Sequence, residues 1–164
     1  MISDAEYNQL IHPIIRTEKL NSTWEDIAGL ETIKNILKEY VLLPIKFPQL
    51  FENYFKSGIC ILLYGPPGSG KTFLANVCAN KAGSSFFSVA SSDLISKYLD
   101  DSDKIIRNLF EIARKKKPSI ILIDDIDLLD DSNSDVIRKL MTELTVQIRA
   151  ENEGVHIIIV TNAP

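Results

Sequence analysis

Apolar positions recur along this chain with two periods, and the alternation between those periods lays out most of its elements. Short apolar runs, ICILLY at 59–64, FFSVA at 86–90, SIILIDD at 119–125 and HIIIVT at 156–161, have the length and composition of strands. Helical spacing fills the stretches between them. Ile33, Ile36, Leu37, Tyr40 and Val41 define a helix expected to stop before Pro44, since proline lacks an N–H and clashes with the preceding turn. TFLANVCANKAG after residue 71 has the same spacing, and Ser91 or Ser92 is expected to cap a short helix running to about Tyr98. Ser102 is expected to cap a longer helix that buries Ile106, Leu109, Phe110 and Ala113 and closes on the cations Arg114 to Lys117 before Pro118. Ile137, Leu140, Met141, Leu144 and Ile148 mark a further helix. Near the start, Ser3 and Glu6 pair as a capping box ahead of Tyr7, Leu10, Ile11 and Ile14, an amphipathic helix that Pro13 should kink or end. Residues 1–23 therefore form a helix and polar linker, and 24–164 a domain. Strands alternating with helices give an α/β fold with a parallel sheet, whose ligand belongs at the carboxyl ends of the strands.

One loop in that alternation carries chemistry. Gly65, Pro66, Pro67, Gly68, Ser69, Gly70, Lys71 and Thr72 match the phosphate-binding pattern G-x-x-x-x-G-K-[ST] between a strand and a helix. Glycines let the backbone turn sharply and aim successive N–H groups at a phosphate chain, while the following helix adds its positive end. Lys71 then supplies a mobile ammonium to the outer phosphates, and the Thr72 hydroxyl is suited to Mg²⁺. Such a loop needs a carboxylate on a second strand, and Asp124 ends the apolar run at 119–125. Asp125, next in line, is placed to orient and polarise an attacking water; its alternative is a solvated acidic loop, because Asp127, Asp130 and Asp131 follow. No Ser, Cys or Lys stands beside a base as covalent catalysis would need, so water is the implied nucleophile.

Composition narrows the partners. The chain has 164 residues, 45% of them hydrophobic, enough for one domain with a real core. Its formal net charge of −4 argues against duplex nucleic acid as a partner, and the cations at 114–117 read as a helix C-terminus. No apolar run approaches the roughly 20 residues that span a bilayer, and the first ten residues are acidic where a signal peptide would be basic. Cys60 and Cys78 lack metal-ligand spacing and read as reduced core residues of a cytoplasmic protein. His12 and His156 show no partner residues and read as structural.

Taken together, WEDIAGLE, LPIKFPQLF, GPPGSGKT, FFSVASSDL, SKYL, NLFEIARKKKPSIILIDDID and VTNAP resemble the AAA ATPases of the group containing katanin, spastin, fidgetin and the vacuolar-protein-sorting ATPase that dismantles ESCRT filaments. The likeness covers nearly the whole chain and is strongest to the vacuolar-sorting member. It implies a P-loop NTPase large subdomain, a parallel sheet sandwiched by helices, with ATP and Mg²⁺ as ligands. It further implies a ring-shaped hexamer that remodels protein filaments in vesicle trafficking, cytoplasmic and touching endosomal membranes only through partners. Position by position, Asp124 and Asp125 occupy the family's Asp-Glu pair, and Asn162 the polar sensor near the γ-phosphate. Asp26 to Gly29, including Ala28, match the segment beside the adenine, and Phe73 follows the phosphate loop as a further nucleotide contact. Lys97, Tyr98 and Leu99 match the first pore loop, where an aromatic grips a threaded polypeptide; an exposed aromatic flanked by Lys can stack on any peptide. Arg138 and Lys139 match a basic pair near the second pore loop and the subunit interface.

Three departures qualify that resemblance. Asp125 replaces the family's Glu, and the lost methylene shortens the reach to water by about 1.5 Å; misplacement of ~1 Å can cost ~10²-fold in rate. Asp100 stands where the pore loop has a flexible Gly, and the segment 130–134 is shorter than the family's second pore loop. Pro164 follows the sensor strand directly, so the sequence given stops before the family's fifth strand, arginine fingers and helical lid, and the edge of the strand at 59–64 is expected to be open to pairing. Three functions stay in view: a working remodelling ATPase, a hydrolysis-impaired nucleotide-binding assembly module, and a microtubule-severing ATPase.

Overall fold

The structure, a computed structural model, describes residues 25, 29–51, 58–66, 70–97, 101–126 and 135–162. The helix and linker expected over 1–23 lie outside the described residues. Four parallel strands, β1 (Ile59–Tyr64), β2 (Ser85–Ala90), β3 (Ser119–Asp124) and β4 (Val155–Thr161), pair in the order β1-β4-β3-β2. Each pair of consecutive strands is joined through helix, as parallel pairing requires.

The helices are α1, built from α-helical Glu31–Leu37, a π-helical turn Lys38–Leu42 and α-helical Leu43–Lys46; the single turn α2 (Pro48–Phe51); α3 (Lys71–Ala82); α4 (Ser91–Lys97); α5 (Ser102–Lys115); and α6 (Asp135–Arg149). Side chains alternate across the sheet, so the central strands feed two cores. Phe87, Val89, Ile121, Ile123, Ile157 and Ile159 pack against Ile106, Leu109 and Phe110 of α5 and Leu140 and Leu144 of α6. Phe86, Ile120, Leu122, Ile158 and Val160 pack instead against Leu74, Val77 and Cys78 of α3 and Leu37, Val41 and Leu42 of α1. Helices thus cover both faces, and β4 is buried throughout and β3 in all but its last residue, Asp124.

Several local expectations are corrected. The first helix does not stop before Pro44 but carries it directly after a π-helical turn, whose widened ladder accommodates a residue that lacks an N–H. The π-helical turn ahead of it holds one extra residue, which slides the buried stripe from Tyr40, 40% exposed, to Val41 and Leu42. Cys60 is not a core residue: it shares the exposed face of β1 with Leu62 and Tyr64, 56% and 64% exposed, while Cys78 is fully buried and its thiol pushed up to about 12 by that burial. Neither expected serine cap forms. Asp101 is the N-cap of α5 and Ser102 is buried in its first turn, whereas α4 begins at Ser91, whose hydroxyl finds no partner among the described residues.

Candidate phosphate-loop site

Every strand ends on the same side of the sheet, so parallel pairing gathers the sequence-distant functional residues along one rim. β1 delivers Tyr64 to Gly65, and α3 begins six residues later behind Gly70, whose φ of 90° and ψ of 11° suit glycine. No side chain caps α3, so its first N–H groups face the loop. Lys71, 5% exposed, bends back across the loop: its Nζ donates to the carbonyls of Gly65 at 2.9 Å and Pro66 at 2.8 Å. A lysine held by exchangeable carbonyl bonds can transfer its ammonium to phosphate oxygens without leaving the loop.

The second half of the site arrives with β3. Thr72 Oγ1 donates to Asp124 Oδ2 at 3.0 Å, joining residues 52 apart in sequence. Asp124 Oδ1 accepts the N–H of Asp125 at 2.9 Å, which fixes the carboxylate's orientation. Asp125 has left the strand, with φ at 60°, a left-handed conformation that Asp tolerates better than most residues. Its Oδ2 lies 3.5 Å from Ser92 Oγ at the start of α4. Asn76, one turn into α3, donates from Nδ2 to the Thr72 carbonyl at 3.0 Å. Asn162 is exposed immediately beyond β4, the strand lying between β1 and β3, so the sheet order places it beside both halves of the site.

Not every expected residue enters this picture. Pro67, Gly68, Ser69, Asp26, Ala28, Tyr98 and Leu99 lie outside the described residues, and of Lys97 only its place at the end of α4 is described. Gly65, Pro66, Gly70, Lys71, Thr72, Asp124 and Asp125 are brought together, and Phe73 packs partly buried against the core beneath the loop. Arg138 and Lys139 sit on α6, where Arg138 pairs with Asp135 at 3.5 Å and Lys139 with Asp103 of α5 at 3.6 Å. Sequence reasoning missed Leu30 and Ser92. Leu30, itself at φ 58° after Gly29, lies against the loop so closely that a Cβ on Gly70 would meet its Cδ1 at 3.6 Å. Two successive left-handed residues leave little signal in a sequence beyond the glycine; the hydroxyl of Ser92 suggested a cap and nothing more.

A family model described as "ATPase family associated with various cellular activities (AAA)" matches residues 61–164. The chain belongs to the AAA family. Vacuolar protein sorting-associated protein 4B of Pongo abelii is 47% identical over 165 residues, which cover 96% of this chain and 37% of that protein. Among solved structures, the FIGL-1 AAA domain in complex with ADP superposes with a TM-score of 0.80 at 36% identity, covering 100% of this chain and 56% of that one. A katanin structure concerned with self-assembly gives 0.74 at 36% identity, covering 99% of this chain and 54% of that one. This AAA chain thus spans well under half the length of the curated relative it resembles. The relatives of the AAA family are described as ATPases, and the FIGL-1 AAA domain was solved in complex with ADP. Among the described residues, no helix is long and apolar enough to cross a membrane.

Proposed function

We propose that this chain is the nucleotide-binding core of an ATP hydrolase that remodels protein assemblies, ESCRT-type filaments foremost, as part of a hexameric ring. The observation that carries the catalytic part of this reading is the 3.0 Å contact between Thr72 and Asp124, which sets a hydroxyl and a carboxylate side by side at the mouth of the phosphate loop. Two hard oxygen donors with room for waters suit Mg²⁺, which takes few protein ligands and completes its shell with water and phosphate. Bound there by Thr72 and Asp124, Mg²⁺ would offset the charge of the outer phosphates.

The chain's own residues do the rest. Lys71 exchanges its bonds to Gly65 and Pro66 for oxygens of the terminal phosphates, and the uncapped start of α3 supplies N–H donors. Asp125 orients a water for in-line attack: the water oxygen bonds to the γ-phosphorus, the bond to the ADP oxygen breaks, and Asp125 receives the water's proton. Asn162 would help position that water. The aromatic grip at Lys97, Tyr98 and Leu99 would couple turnover to pulling on polypeptide. The similarity to a vacuolar sorting protein supports trafficking filaments as substrate, and the self-assembly of katanin supports a ring.

A second reading has its own support. Asp125 is short, and the hydroxyl of Ser92 lies 3.5 Å from its carboxylate, so the side chain is drawn toward α4. That contact supports a nucleotide-gated assembly module with slow turnover. Steady-state Mg-ATPase measurements on the natural full-length protein separate the two. The hydrolase reading expects clear turnover that Asp124→Asn lowers by ~10²-fold or more. Turnover that survives Asp124→Asn contradicts it, and turnover that appears only with Asp125→Glu supports the assembly module.

A further inference from the structure

Away from the phosphate loop, a cavity of about 230 Å³ opens between α1 and the last turn of α3. Four lysines line it, Lys34, Lys38, Lys46 and Lys81, with the amide of Asn35 beside them and Leu42 beneath. Among the described residues, no carboxylate lines it. Glu31, which pairs with Lys34 at 3.6 Å, is 77% exposed and stands one turn outside. Among the described residues, neither Lys38 nor Lys46 has a carboxylate within ion-pair distance. Four of the chain's 18 cationic residues therefore gather at one cavity of a molecule whose net charge is −4.

The helix is shaped to produce that gathering. In a regular α-helix, with about 100° per residue, Lys46 would lie about 80° around the axis from Lys38. The π-helical turn Lys38–Leu42 inserts one residue and removes about 100°, which returns Lys46 to within about 20° of Lys38 and in line with Lys34 one turn earlier. Like charges at i and i+4 destabilise a helix, so Lys34 and Lys38 work against the stability of α1. π-helical turns occur mostly as single insertions and frequently at functional sites. Lys81 completes the ring from α3, ten residues beyond Lys71 and so about 15 Å along that helix from the phosphate loop.

We propose that this cavity binds a compact polyphosphate, a small scaffold carrying two or more phosphate groups, as a site separate from the nucleotide loop. Lysines act on phosphate as mobile point charges, which suits charge spread over many oxygens better than the planar carboxylate geometry that arginine serves. Asn35 adds an amide donor and Leu42 an apolar contact to the lining.

The test is calorimetric titration of inositol hexakisphosphate into the wild type, the Lys38→Gln/Lys46→Gln double variant and Lys71→Ala, each checked for folding by its urea midpoint. The expected result is binding that weakens with added salt, falls about tenfold or more in the double variant and persists in Lys71→Ala. A phosphatidylcholine vesicle containing a phosphatidylinositol bisphosphate, run in parallel, supports the same site if it alone binds and is released by the double variant, and then assigns the phosphates to a lipid. Binding unchanged in the double variant, or lost in Lys71→Ala alone, overturns the proposal. Displacement of the probe by a polyglutamate peptide at equal affinity overturns the assignment to phosphate.

Discussion

His156 enters the core at the first turn of β4, 5% exposed, between Ile59 of β1 and Ile120 of β3. Its Nδ1 has no hydrogen-bond partner among the described residues, and burial pushes the imidazole down from 6.5 to about 4. The folded chain therefore holds it neutral while the unfolded chain takes up a proton near pH 6.5. Its contribution to stability is complete above 6.5, declines as pH falls from 6.5 toward 4 and levels off below, a loss on the order of 3 kcal/mol. Urea unfolding at pH 7 and pH 5 should show His156→Leu losing less stability than wild type across that interval; equal losses would refute the argument. Gly58, just before β1, is a second residue whose chemistry is fixed by its surroundings. At φ 79°, an added Cβ would lie 2.7 Å from the Val155 carbonyl oxygen and 2.8 Å from Asn152 Cβ, both held by backbone. Gly58→Ala should cost about 2–4 kcal/mol, read as a lower urea midpoint at unchanged slope. A midpoint within error of wild type would show that the β1 junction yields.

Helices α5 and α6 owe their union to more than the apolar stripe that their sequences display. Arg107 of α5 holds Glu143 of α6 through two bonds of 3.0 and 3.2 Å, and that bond from Arg107 is the main reason the Glu143 carboxyl is held below its usual range. Because Arg107 is half exposed, water screens the pair and it adds little to stability. The buried end of α6 matters more. Asn152, with no exposure, donates from Nδ2 to the carbonyls of Gln147, Ile148 and Ala150 and accepts from Arg114 Nε, whose guanidinium lies 5.7 Å from the Phe110 ring centroid. Asn152→Ala would remove the donor to the Ile148 and Ala150 carbonyls and the acceptor of Arg114 Nε, leaving Arg114 only its 3.2 Å bond from Nη2 to the Gln147 carbonyl. It should lower stability by about 2–3 kcal/mol in thermal or urea unfolding, and a loss under about 0.5 kcal/mol would contradict the assignment. The stripes of α5 and α6 and all four strands were legible because burial on one or both faces imposes a period that survives in the sequence. Arg114 read as a cation at a helix end, which is correct, but its bond to Asn152 depends on the return of the chain 38 residues later. The fate of Pro44 was illegible for a related reason: a π-helical turn depends on what α1 packs against, and no local residue announces it.

At the scale of the molecule, a parallel sheet with helices on both faces converts four strand ends into a single rim carrying Lys71, Thr72, Asp124, Asp125 and Asn162. The phosphate loop and its carboxylate were readable because their residue types are dictated by phosphate and metal chemistry. Ser92 beside Asp125 and Leu30 beside Gly70 were not, since only the fold makes them neighbours. The same fold leaves Leu62 and Tyr64 exposed on β1, one of the two edge strands of the described sheet. Exposed apolar strands at a sheet edge promote association, so sedimentation of residues 1–164 should show concentration-dependent self-association that Leu62→Lys reduces. Sedimentation as a monomer at all concentrations would contradict this. The central claim, that the rim is a Mg-nucleotide site built on Lys71 and the Thr72–Asp124 pair, is tested most directly by calorimetric titration of ATP with and without Mg²⁺. Wild type should bind more tightly with Mg²⁺, Lys71→Ala should weaken binding about tenfold or more, and Asp124→Asn should abolish the Mg²⁺ dependence. Equal ATP affinity in wild type and Lys71→Ala, or a Mg²⁺ effect that survives Asp124→Asn, would contradict it.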